Sequence, residues 1–508
     1  MATPSEKLAA SLAELKRLQD KGQTAIQSSE LGRTHRERLS KHGFIQEVMR
    51  GWYIPARPDE TTGESTVWYA SFWKFCAKYL DTRMGAQWCL SPEQSLSLHA
   101  ENWTVPKQMF VRAPTGRNQI TQLPFGTSLF EVRSSLPEAQ ETILKDGLRL
   151  FTLPAALVAA SPAFFTSNPT DARAALAMVR DASDVLAKLL AGGHSVVAGR
   201  LAGAFRNIGR TGSADEILHT MKAAGYDVRE NDPFAAASPV LFRNREPSPY
   251  VNRLRLMWQS MRQPVLEHFP KAPDIGSTQS AAEYLKQLEE IYTTDAYHSL
   301  SIEGYKVTPE LIERVQQGSW NPDNNATDRE QVSALAARGY WQAFQKVKSS
   351  IEKILAGANA GEVIRADHRD WYREMFAPSV TAGILKASDL AGYRNMDVFI
   401  RRSMHVPLKP DAVRDAMPAL MDMLQEEKEA AVRVVLGHFM FVYIHPYMDG
   451  NGRMGRFLMN TMMASGGYPW LVVPVEQRIA YMEALEAASV GGDIVPFTKF
   501  LAGKARLS

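Results

Sequence analysis

The stretch YIHPYMDGNGRMGRF, residues 443–457, joins two apolar segments that both have the spacing of a helix. Pro446 is expected to end the first helix, because proline lacks the backbone N–H that a continuing helix needs. Helical spacing resumes after Asn451, so Gly450, Asn451 and Gly452 lie at a predicted helix N-terminus, where backbone N–H groups have no partner. The sequence therefore predicts a helix–loop–helix whose loop can cradle an anion such as phosphate.

The charged side chains around this loop suit phosphate chemistry. Arg453 and Arg456 are three positions apart, so they share one face of the first helical turn and can clamp phosphate oxygens. Asp449 is a hard oxygen ligand at a position where Mg²⁺ would bridge phosphates. His445 has a side chain with an ordinary pKa of about 6.5, which suits it to remove a proton from an attacking hydroxyl.

The same stretch also contains the pattern Gly-x-Gly-x-x-Gly at Gly450, Gly452 and Gly455. This pattern is typical of dinucleotide-binding folds only when it follows a buried strand. Residues 432–443 have helical length and spacing instead, so we reject that interpretation. A capped helix–loop–helix with incidental charges is the remaining alternative.

Residues 445–456 resemble the signature of the Fic family, His-Pro-Phe-x-Asp/Glu-Gly-Asn-Gly-Arg-x-x-Arg, and Tyr447 in place of phenylalanine is the only departure. The resemblance implies a helical fold in which the loop binds ATP with Mg²⁺ and the enzyme transfers AMP to a hydroxyl of a target. It also implies that His445 is the general base and that Asp449 is the Mg²⁺ ligand. Gly450, Asn451 and Gly452 would form the phosphate cradle, and Arg453 and Arg456 would be the phosphate clamps.

A second motif, Ser-Leu-Ser-Ile-Glu-Gly at residues 299–304, closes a predicted helix. It is similar to the inhibitory motif of many Fic proteins, Ser/Thr-x-x-x-Glu-Gly/Asn, which implies that Glu303 pairs with Arg456. A carboxylate on that arginine would occupy the clamp and repel the γ-phosphate of ATP. We therefore predict an inhibitory element formed by Ser299, Glu303 and Gly304, with a solvated acid at a helix end as the alternative.

An alternating stretch, MDVFIRRSMHVP, lies between residues 394 and 407 and predicts a short β-hairpin. Residues 394–410 resemble the flap of the Fic family, an edge that pairs with an extended target segment through main-chain hydrogen bonds. We place this flap at Val398, Ile400 and His405. An ordinary connecting hairpin is the alternative.

The chain has 508 residues, a length that implies about three or four compact units. The clearest compositional break, residues 229–250, is predicted to be a linker. Before it we predict a helix and a winged-helix-like α+β segment over residues 1–60, then a mixed α/β companion domain over residues 61–228. After it we predict a mainly α Fic domain over residues 251–508, a helical bundle with a short β-hairpin flap. Within that domain we place an inhibitory helix over residues 279–304 and a catalytic core over about residues 360–490.

Apolar residues at spacings of three and four predict the helices of this last domain. They cover residues 281–302, 309–317, 328–355, 411–424, 427–444, 451–465 and 477–490.

Residues 28–55 predict a helix over about residues 34–41, a turn at Gly43 and two short strands around Gly51. This order resembles the winged helix of type IV toxin–antitoxin antitoxins of the abortive-infection kind. Five basic side chains outnumber three acidic ones here, which permits DNA contact without demanding it. A protein-binding or structural role is the alternative. The basic residues are Arg33, Arg36, Arg38, Lys41 and Arg50, and the acidic ones are Glu30, Glu37 and Glu47.

Four tryptophans of the companion domain have a spacing more typical of core residues than of a ligand cage. They are Trp68, Trp73, Trp88 and Trp103. The function of this domain is not indicated by its sequence.

Composition excludes a fibrous or wholly disordered chain, because 45% of the residues are hydrophobic and 22% are charged. The net charge of +3 is too small to predict polyanion binding by itself. No apolar run approaches the roughly 20 residues of a membrane span, and the start of the chain lacks the apolar core of a signal peptide. Two cysteines, Cys76 and Cys89, are too few for a disulfide framework. We therefore expect a cytoplasmic protein without membrane contact.

These observations predict a protein adenylyltransferase that uses ATP and Mg²⁺ and is inhibited in cis by Glu303. Its partner would be a protein with a modifiable serine, threonine or tyrosine hydroxyl; self-modification, DNA contact through the N-terminal segment and a homodimer are left open. A DNA-binding regulator or antitoxin-like module is the first alternative. Removal of AMP, or transfer of another phosphate-containing group, is the second.

Overall fold

The computed structural model describes residues 3–56, 58, 65–242, 248–273, 280–319 and 332–505. The chain forms two compact units: unit 1 is Met1–Pro249 with Phe399–Val406, and unit 2 is Tyr250–Val398 with Pro407–Ser508. The division between them falls at the end of the predicted linker. The finer division of the first 228 residues stays a prediction. The predicted helix starts at residues 279 and 328 lie outside the described residues.

Unit 1 combines helices with small sheets. Its helices are α1 (Pro4–Asp20), α2 (Arg33–Lys41), α3 (Thr66–Met84), α4 (Pro92–His99), α5 (Leu153–Ala159), α6 (Pro162–Ser167), α7 (Pro169–Met178), α8 (Ser183–Gly192), α9 (Ser195–Asn207) and α10 (Thr211–Ala223). Its strands are β1 (Ile26–Gln27), β2 (Ile45–Met49), β3 (Trp52–Pro55), β4 (Cys89–Leu90), β5 (Gln108–Ala113), β6 (Ile120–Gln122), β7 (Ser128–Arg133), β8 (Thr142–Lys145) and β9 (Leu148–Phe151). The strand orders are β1-β3-β2, β4-β5-β7-β6 and β8-β9, and β5 runs parallel to β7.

The N-terminal segment has the predicted helix and two strands, as α2, β2 and β3. Gly51 makes the turn between the strands with a φ of +81°, a backbone conformation that favours glycine. At least three of the basic side chains have partners within unit 1: Arg33 donates to the Glu37 carboxylate at 2.7 Å, Arg36 to the Ser28 carbonyl oxygen at 2.9 Å, and Arg38 to the Lys7 carbonyl oxygen at 2.8 Å. The winged-helix resemblance and DNA contact stay predictions.

The tryptophans of the companion region are core residues, which confirms the prediction made from their spacing. Trp68, Trp73, Trp88 and Trp103 are each at most 8% exposed. The Trp68 indole N–H donates to the Thr127 hydroxyl at 2.9 Å, so its polar atom is satisfied inside the core.

Unit 2 is helical in its described residues. Its helices are α11 (Pro249–His268), α12 (Ala281–Ile302), α13 (Pro309–Gln316), α14 (Val332–Leu355), α15 (Ala360–Thr381), α16 (Pro410–Glu426), α17 (Ala430–Ile444), α18 (Asn451–Ser465), α19 (Arg478–Gly491) and α20 (Val495–Ala505). Short 3₁₀ helices lie at Pro124–Gly126 and Ala139–Glu141 in unit 1, and at Ala387–Leu390 and Val475–Gln477 in unit 2. None of the helices described in either unit combines the length and apolarity that a membrane crossing requires.

Each helix predicted in this domain has a counterpart, but α11, α15 and α20 were not predicted. The α15 helix matters most, because it packs against both α14 and α18. Its start is signalled by Asn359, whose side-chain oxygen accepts from the Gly361 and Glu362 N–H groups. The many charged residues of α15, and Pro378 near its end, hid its periodicity.

The prediction of a β-hairpin flap was wrong, because residues 394–410 form no strands. Residues 397–409 contain no strand and have no regular secondary structure apart from a turn, in which the Ser403 N–H donates to the Ile400 carbonyl oxygen at 3.2 Å. Phe399–Val406 belongs to unit 1, where the Val105 N–H donates to the Met404 carbonyl oxygen at 2.9 Å. Sequence alternation gives a strand its two faces, but it does not say which backbone will pair with it.

The three residues assigned to the flap are therefore divided between the units. Val398 lies in unit 2 and is half-buried, whereas Ile400 and the buried His405 lie in unit 1. Their role in holding a target stays a prediction.

Because two histidines are buried, we expect the folded chain to lose stability in mild acid. His368 bonds to the Ile364 carbonyl oxygen and the Tyr393 hydroxyl, and His438 bonds to the Tyr481 hydroxyl. Burial lowers the pKa of both imidazoles to about 4. Between the unfolded pKa of about 6.5 and pH 4 the unfolded chain binds protons that the folded chain does not, so stability falls as pH falls.

We expect the free energy of unfolding to drop by about 2 kcal/mol per histidine from about pH 7.5 to about pH 5. Urea denaturation at the two pH values measures the difference. His368→Gln is the matched variant, because an amide keeps hydrogen-bonding capacity without titrating, and its pH dependence should be smaller. An equal pH dependence in wild type and variant would contradict the assignment.

Candidate active site

The loop between α17 and α18 is a sharp reversal held by two left-handed residues. His445 caps α17 with a φ of +55°, and Gly450 precedes α18 with a φ of +78°. A Cβ on Gly450 would lie 2.9 Å from the Phe376 ring, so a glycine is needed there for space as well as for conformation. The predicted helix–loop–helix is thus confirmed, with α18 beginning at Asn451.

Asn451 braces the loop through its side chain. Its amide oxygen accepts from the Tyr447 N–H at 2.9 Å, and its amide nitrogen donates to the Tyr447 carbonyl oxygen at 2.8 Å. Asn451 is only 2% exposed. Sequence reasoning placed Asn451 in the phosphate cradle and missed this role, although an amide that both donates and accepts is suited to closing a loop on itself.

Arg456 is bound from three sides by α12. Its Nη2 donates to the Glu303 carboxylate at 2.7 Å and to the Ser299 carbonyl oxygen at 3.0 Å, while its Nε donates to the Ser299 hydroxyl at 2.9 Å. The structure therefore brings together Ser299, Glu303 and Arg456, as the sequence predicts. Gly304 follows with a φ of +92°, which lets the chain leave the helix directly after Glu303.

The Glu303 carboxylate also lies against the glycine cradle. A Cβ on Gly452 would be 2.3 Å from Glu303 Oε1, so only a glycine leaves room for this oxygen at the start of α18. Burial raises the pKa of Glu303, but the charges of Arg456, Arg453 and Arg478, together with the hydrogen bond from Arg456, outweigh it and the net pKa is lowered. The acid is therefore ionised at neutral pH, and it occupies the place where a helix N-terminus attracts an anion.

Arg453 lies between two aromatic rings that sequence reasoning missed. Its guanidinium carbon is 5.1 Å from the ring centroids of both Tyr305 and Phe376, and the residue is 1% exposed. Such stacking holds an arginine by cation–π attraction. Its Nε has no hydrogen-bond partner in the described part of the chain, so this buried donor is available to a phosphate oxygen.

His445 is set up to accept a proton. Its Nδ1 lies 3.1 Å from the Val442 carbonyl oxygen, which fixes the tautomer with the proton on Nδ1 and leaves the Nε2 lone pair free to act. Burial, with a smaller contribution from the charge of Arg394, lowers the pKa of His445 to about 4. The imidazole is therefore neutral at pH 7, the state that a general base requires.

Arg394, in the segment that follows the 3₁₀ helix Ala387–Leu390, holds the loop in place and was also missed from the sequence. Its Nε donates to the His445 carbonyl oxygen at 2.7 Å, and its backbone N–H donates to the Pro446 carbonyl oxygen at 2.9 Å. Arg394 is 3% exposed, and burial lowers its pKa to about 10. The sequence offers no local signal for this contact, because the residues are far apart along the chain.

Asp449 fits a Mg²⁺ ion that arrives with phosphates. Its side chain is 67% exposed; one oxygen accepts from the Gly450 N–H at 2.6 Å, and the other is 3.4 Å from Arg453 Nη2. In the described residues no three His, Cys, Asp or Glu side chains form a metal site. Magnesium commonly binds one or two carboxylates together with substrate phosphates and water, so a single exposed carboxylate beside a phosphate cradle suits it.

The helical core and this loop define a domain that presents an anion-binding helix N-terminus, two buried arginines and a neutral histidine. Residues 364–463, from α15 into α18, match the sequence model of the Fic/DOC family. The chain therefore contains a Fic domain.

Several curated proteins are similar to this chain over that region. Protein adenylyltransferase Fic from Nematostella vectensis is 28% identical over 222 residues, 43% of this chain and 48% of that protein. Protein adenylyltransferase fic-1 from Caenorhabditis elegans is 26% identical over 230 residues, 44% of this chain and 41% of that protein. The chain thus spans less than half the length of these relatives. A solved structure of Fic-1 from C. elegans, 18% identical, covers 64% of this chain and 89% of its own, with a TM-score of 0.37.

Proposed function

We propose that this chain is a protein adenylyltransferase, which transfers AMP from ATP to a serine, threonine or tyrosine hydroxyl of a target protein. The observation that carries the proposal is the combination of a neutral His445 on the loop with a glycine cradle and two buried arginines at the start of α18. The curated relatives are named for the same activity.

The residues divide the reaction between them. His445 Nε2 removes the proton of the target hydroxyl, and the resulting oxygen attacks the α-phosphorus of ATP. The bond from that phosphorus to the bridging oxygen breaks, pyrophosphate leaves, and the proton stays on His445 until solvent takes it. Backbone N–H groups at the start of α18 hold the α-phosphate, while Arg453 and Arg456 hold the departing phosphates.

Asp449 would hold Mg²⁺, which when bound supplies positive charge against the phosphate oxygens. The Asp449 side chain is 67% exposed, so its carboxylate is accessible to an ion that accompanies the nucleotide. Arg453 lies 3.4 Å from the same carboxylate, so the two residues present adjacent charges of opposite sign to a polyphosphate.

Glu303 is proposed to restrain the enzyme by competing with ATP. Its carboxylate takes the Arg456 guanidinium and lies against Gly452, so a phosphate at the same place meets both steric conflict and like charge. A brake of this kind acts on the position of the nucleotide and leaves His445 intact.

Position-specific labelling of ATP tests the transferred group. The full-length Glu303→Gly chain, in which the brake is removed, is incubated with ATP labelled at the α- or the γ-phosphate and then separated under denaturing conditions. We expect covalent label from α-labelled ATP alone, together with released pyrophosphate. Protein labelled from γ-labelled ATP without α-label would show phosphoryl transfer and contradict the proposal.

A further inference from the structure

A groove of about 590 Å³ lies between α15 and the segment Ala387–Gly392, and it does not include His445 or either clamp arginine. Its wall contains Tyr447, the residue that departs from the family signature. Volumes of this order are typical of sites for small molecules. The apolar part of the wall comes from Ala377, Val380 and Leu390.

The Tyr447 hydroxyl is a buried polar group without a use in the fold. The Tyr447 ring stacks on Tyr372 with centroids 3.7 Å apart and planes 7° apart, and the residue is 1% exposed. Its hydroxyl has no hydrogen-bond partner among the described residues. A phenylalanine would make the same stack and avoid the cost of an unsatisfied hydroxyl, so the oxygen points to a partner outside the chain.

Two arginines on α15 give the groove a positive wall. Arg369 and Arg373 both line it and are exposed, so their side chains can turn onto a ligand. Arg373 is paired with Asp370 at 2.8 Å, and the Arg369 guanidinium lies 5.1 Å from the Tyr393 ring centroid.

The negative charge of the acidic residue in the wall is balanced by a nearby lysine. Glu374 lines the groove and lies 4.0 Å from Lys346 of α14. A ligand in the groove therefore meets two guanidinium groups, a phenol and an apolar surface. Guanidinium groups bind phosphate oxygens in pairs of hydrogen bonds, and a phenol can donate one more.

We propose that this groove is a binding site for a small phosphate-bearing organic molecule, distinct from the nucleotide site. Arg369 and Arg373 bind the phosphate, Tyr447 donates to it, and the apolar wall contacts the organic part. Asn451 holds the backbone of Tyr447, so an occupied groove bears directly on the loop that carries His445 and Asp449.

Ribose 5-phosphate is a suitable probe, because it has a phosphate and a small organic body but no adenine. Isothermal titration calorimetry on the full-length chain should give saturable binding with a Kd below about 1 mM. Tyr447→Phe should weaken binding by about tenfold, since it removes one hydrogen bond and keeps the ring. Arg369→Gln combined with Arg373→Gln should weaken it by about a hundredfold.

Glu303→Gly is the control for the nucleotide site, because it frees Arg456 and leaves the groove unchanged. Groove binding should stay within about twofold in this variant. No saturable binding to wild type, or binding that strengthens in Glu303→Gly and ignores the groove substitutions, would overturn the proposal. Tyr447→Phe introduces the phenylalanine of the family signature at this position. If the thermal melting point of this variant is at least that of wild type, misfolding does not explain a loss of binding.

Discussion

AMP incorporation by the Glu303→Gly chain is expected to exceed that of wild type by roughly ten- to a hundredfold. A charge-assisted hydrogen bond of this kind contributes about 1.5–3 kcal/mol, which corresponds to that range in the occupancy of the productive ATP pose. The substitution removes the carboxylate from Arg456 and from the space above Gly452. Because Glu303 is the last residue before the turn at Gly304, a glycine there costs α12 little.

The measurement is the initial rate of AMP incorporation from α-labelled ATP at a fixed protein concentration. Glu303→Gln should fall between wild type and Glu303→Gly, since an amide can still bond to Arg456 but no longer repels phosphate. Glu290→Gln is the matched control: Glu290 lies on the same helix, and its side chain is 64% exposed and faces Lys286. Equal rates in wild type and Glu303→Gly would place the brake elsewhere.

His445→Ala should reduce AMP transfer by about a hundred- to ten-thousandfold in the Glu303→Gly background, the range for loss of a general base. ATP binding should persist, because Arg453, Arg456 and the glycine cradle are untouched. The pattern expected is therefore a fall in kcat with little change in the affinity for ATP.

The backbone at this position requires a second variant. His445 has a φ of +55°, which alanine adopts only with strain, whereas asparagine tolerates it. His445→Asn separates the two effects, because it keeps the turn and removes the base. Activity within tenfold of the parent in His445→Asn would show that the imidazole is not the base. Activity lost in His445→Ala alone would assign the effect to the loop.

The parts of the site that were predictable from sequence are those written in consecutive residues. The stretch from His445 to Arg456 carries its own helix end, glycines and charges, so its helix–loop–helix structure could be inferred from the sequence alone. The Glu303–Arg456 pair was predicted from a resemblance, and the structure places the two groups 2.7 Å apart. The structure also shows that the Glu303 carboxylate lies against Gly452, a contact that the spacing of residues in the sequence does not predict.

The missed residues act across the fold. Arg394, Tyr305 and Phe376 reach the loop from segments that are distant in sequence, and their contacts depend on how the helices pack. The flap failed for a related reason, since the backbone that bonds to Met404 belongs to Val105, some three hundred residues earlier. Local pattern predicts local structure well, but it does not choose among distant partners.

Mass spectrometry of proteins treated with the Glu303→Gly chain tests the central claim most directly. Cell lysate is incubated with this chain, ATP and Mg²⁺, and modified peptides are sequenced; the Glu303→Gly chain with His445→Asn serves as the control. The account predicts AMP on a serine, threonine or tyrosine hydroxyl, in a lysate protein or in the chain itself, and none with the control. Absence of AMP from every protein, or equal amounts with the control, would contradict it.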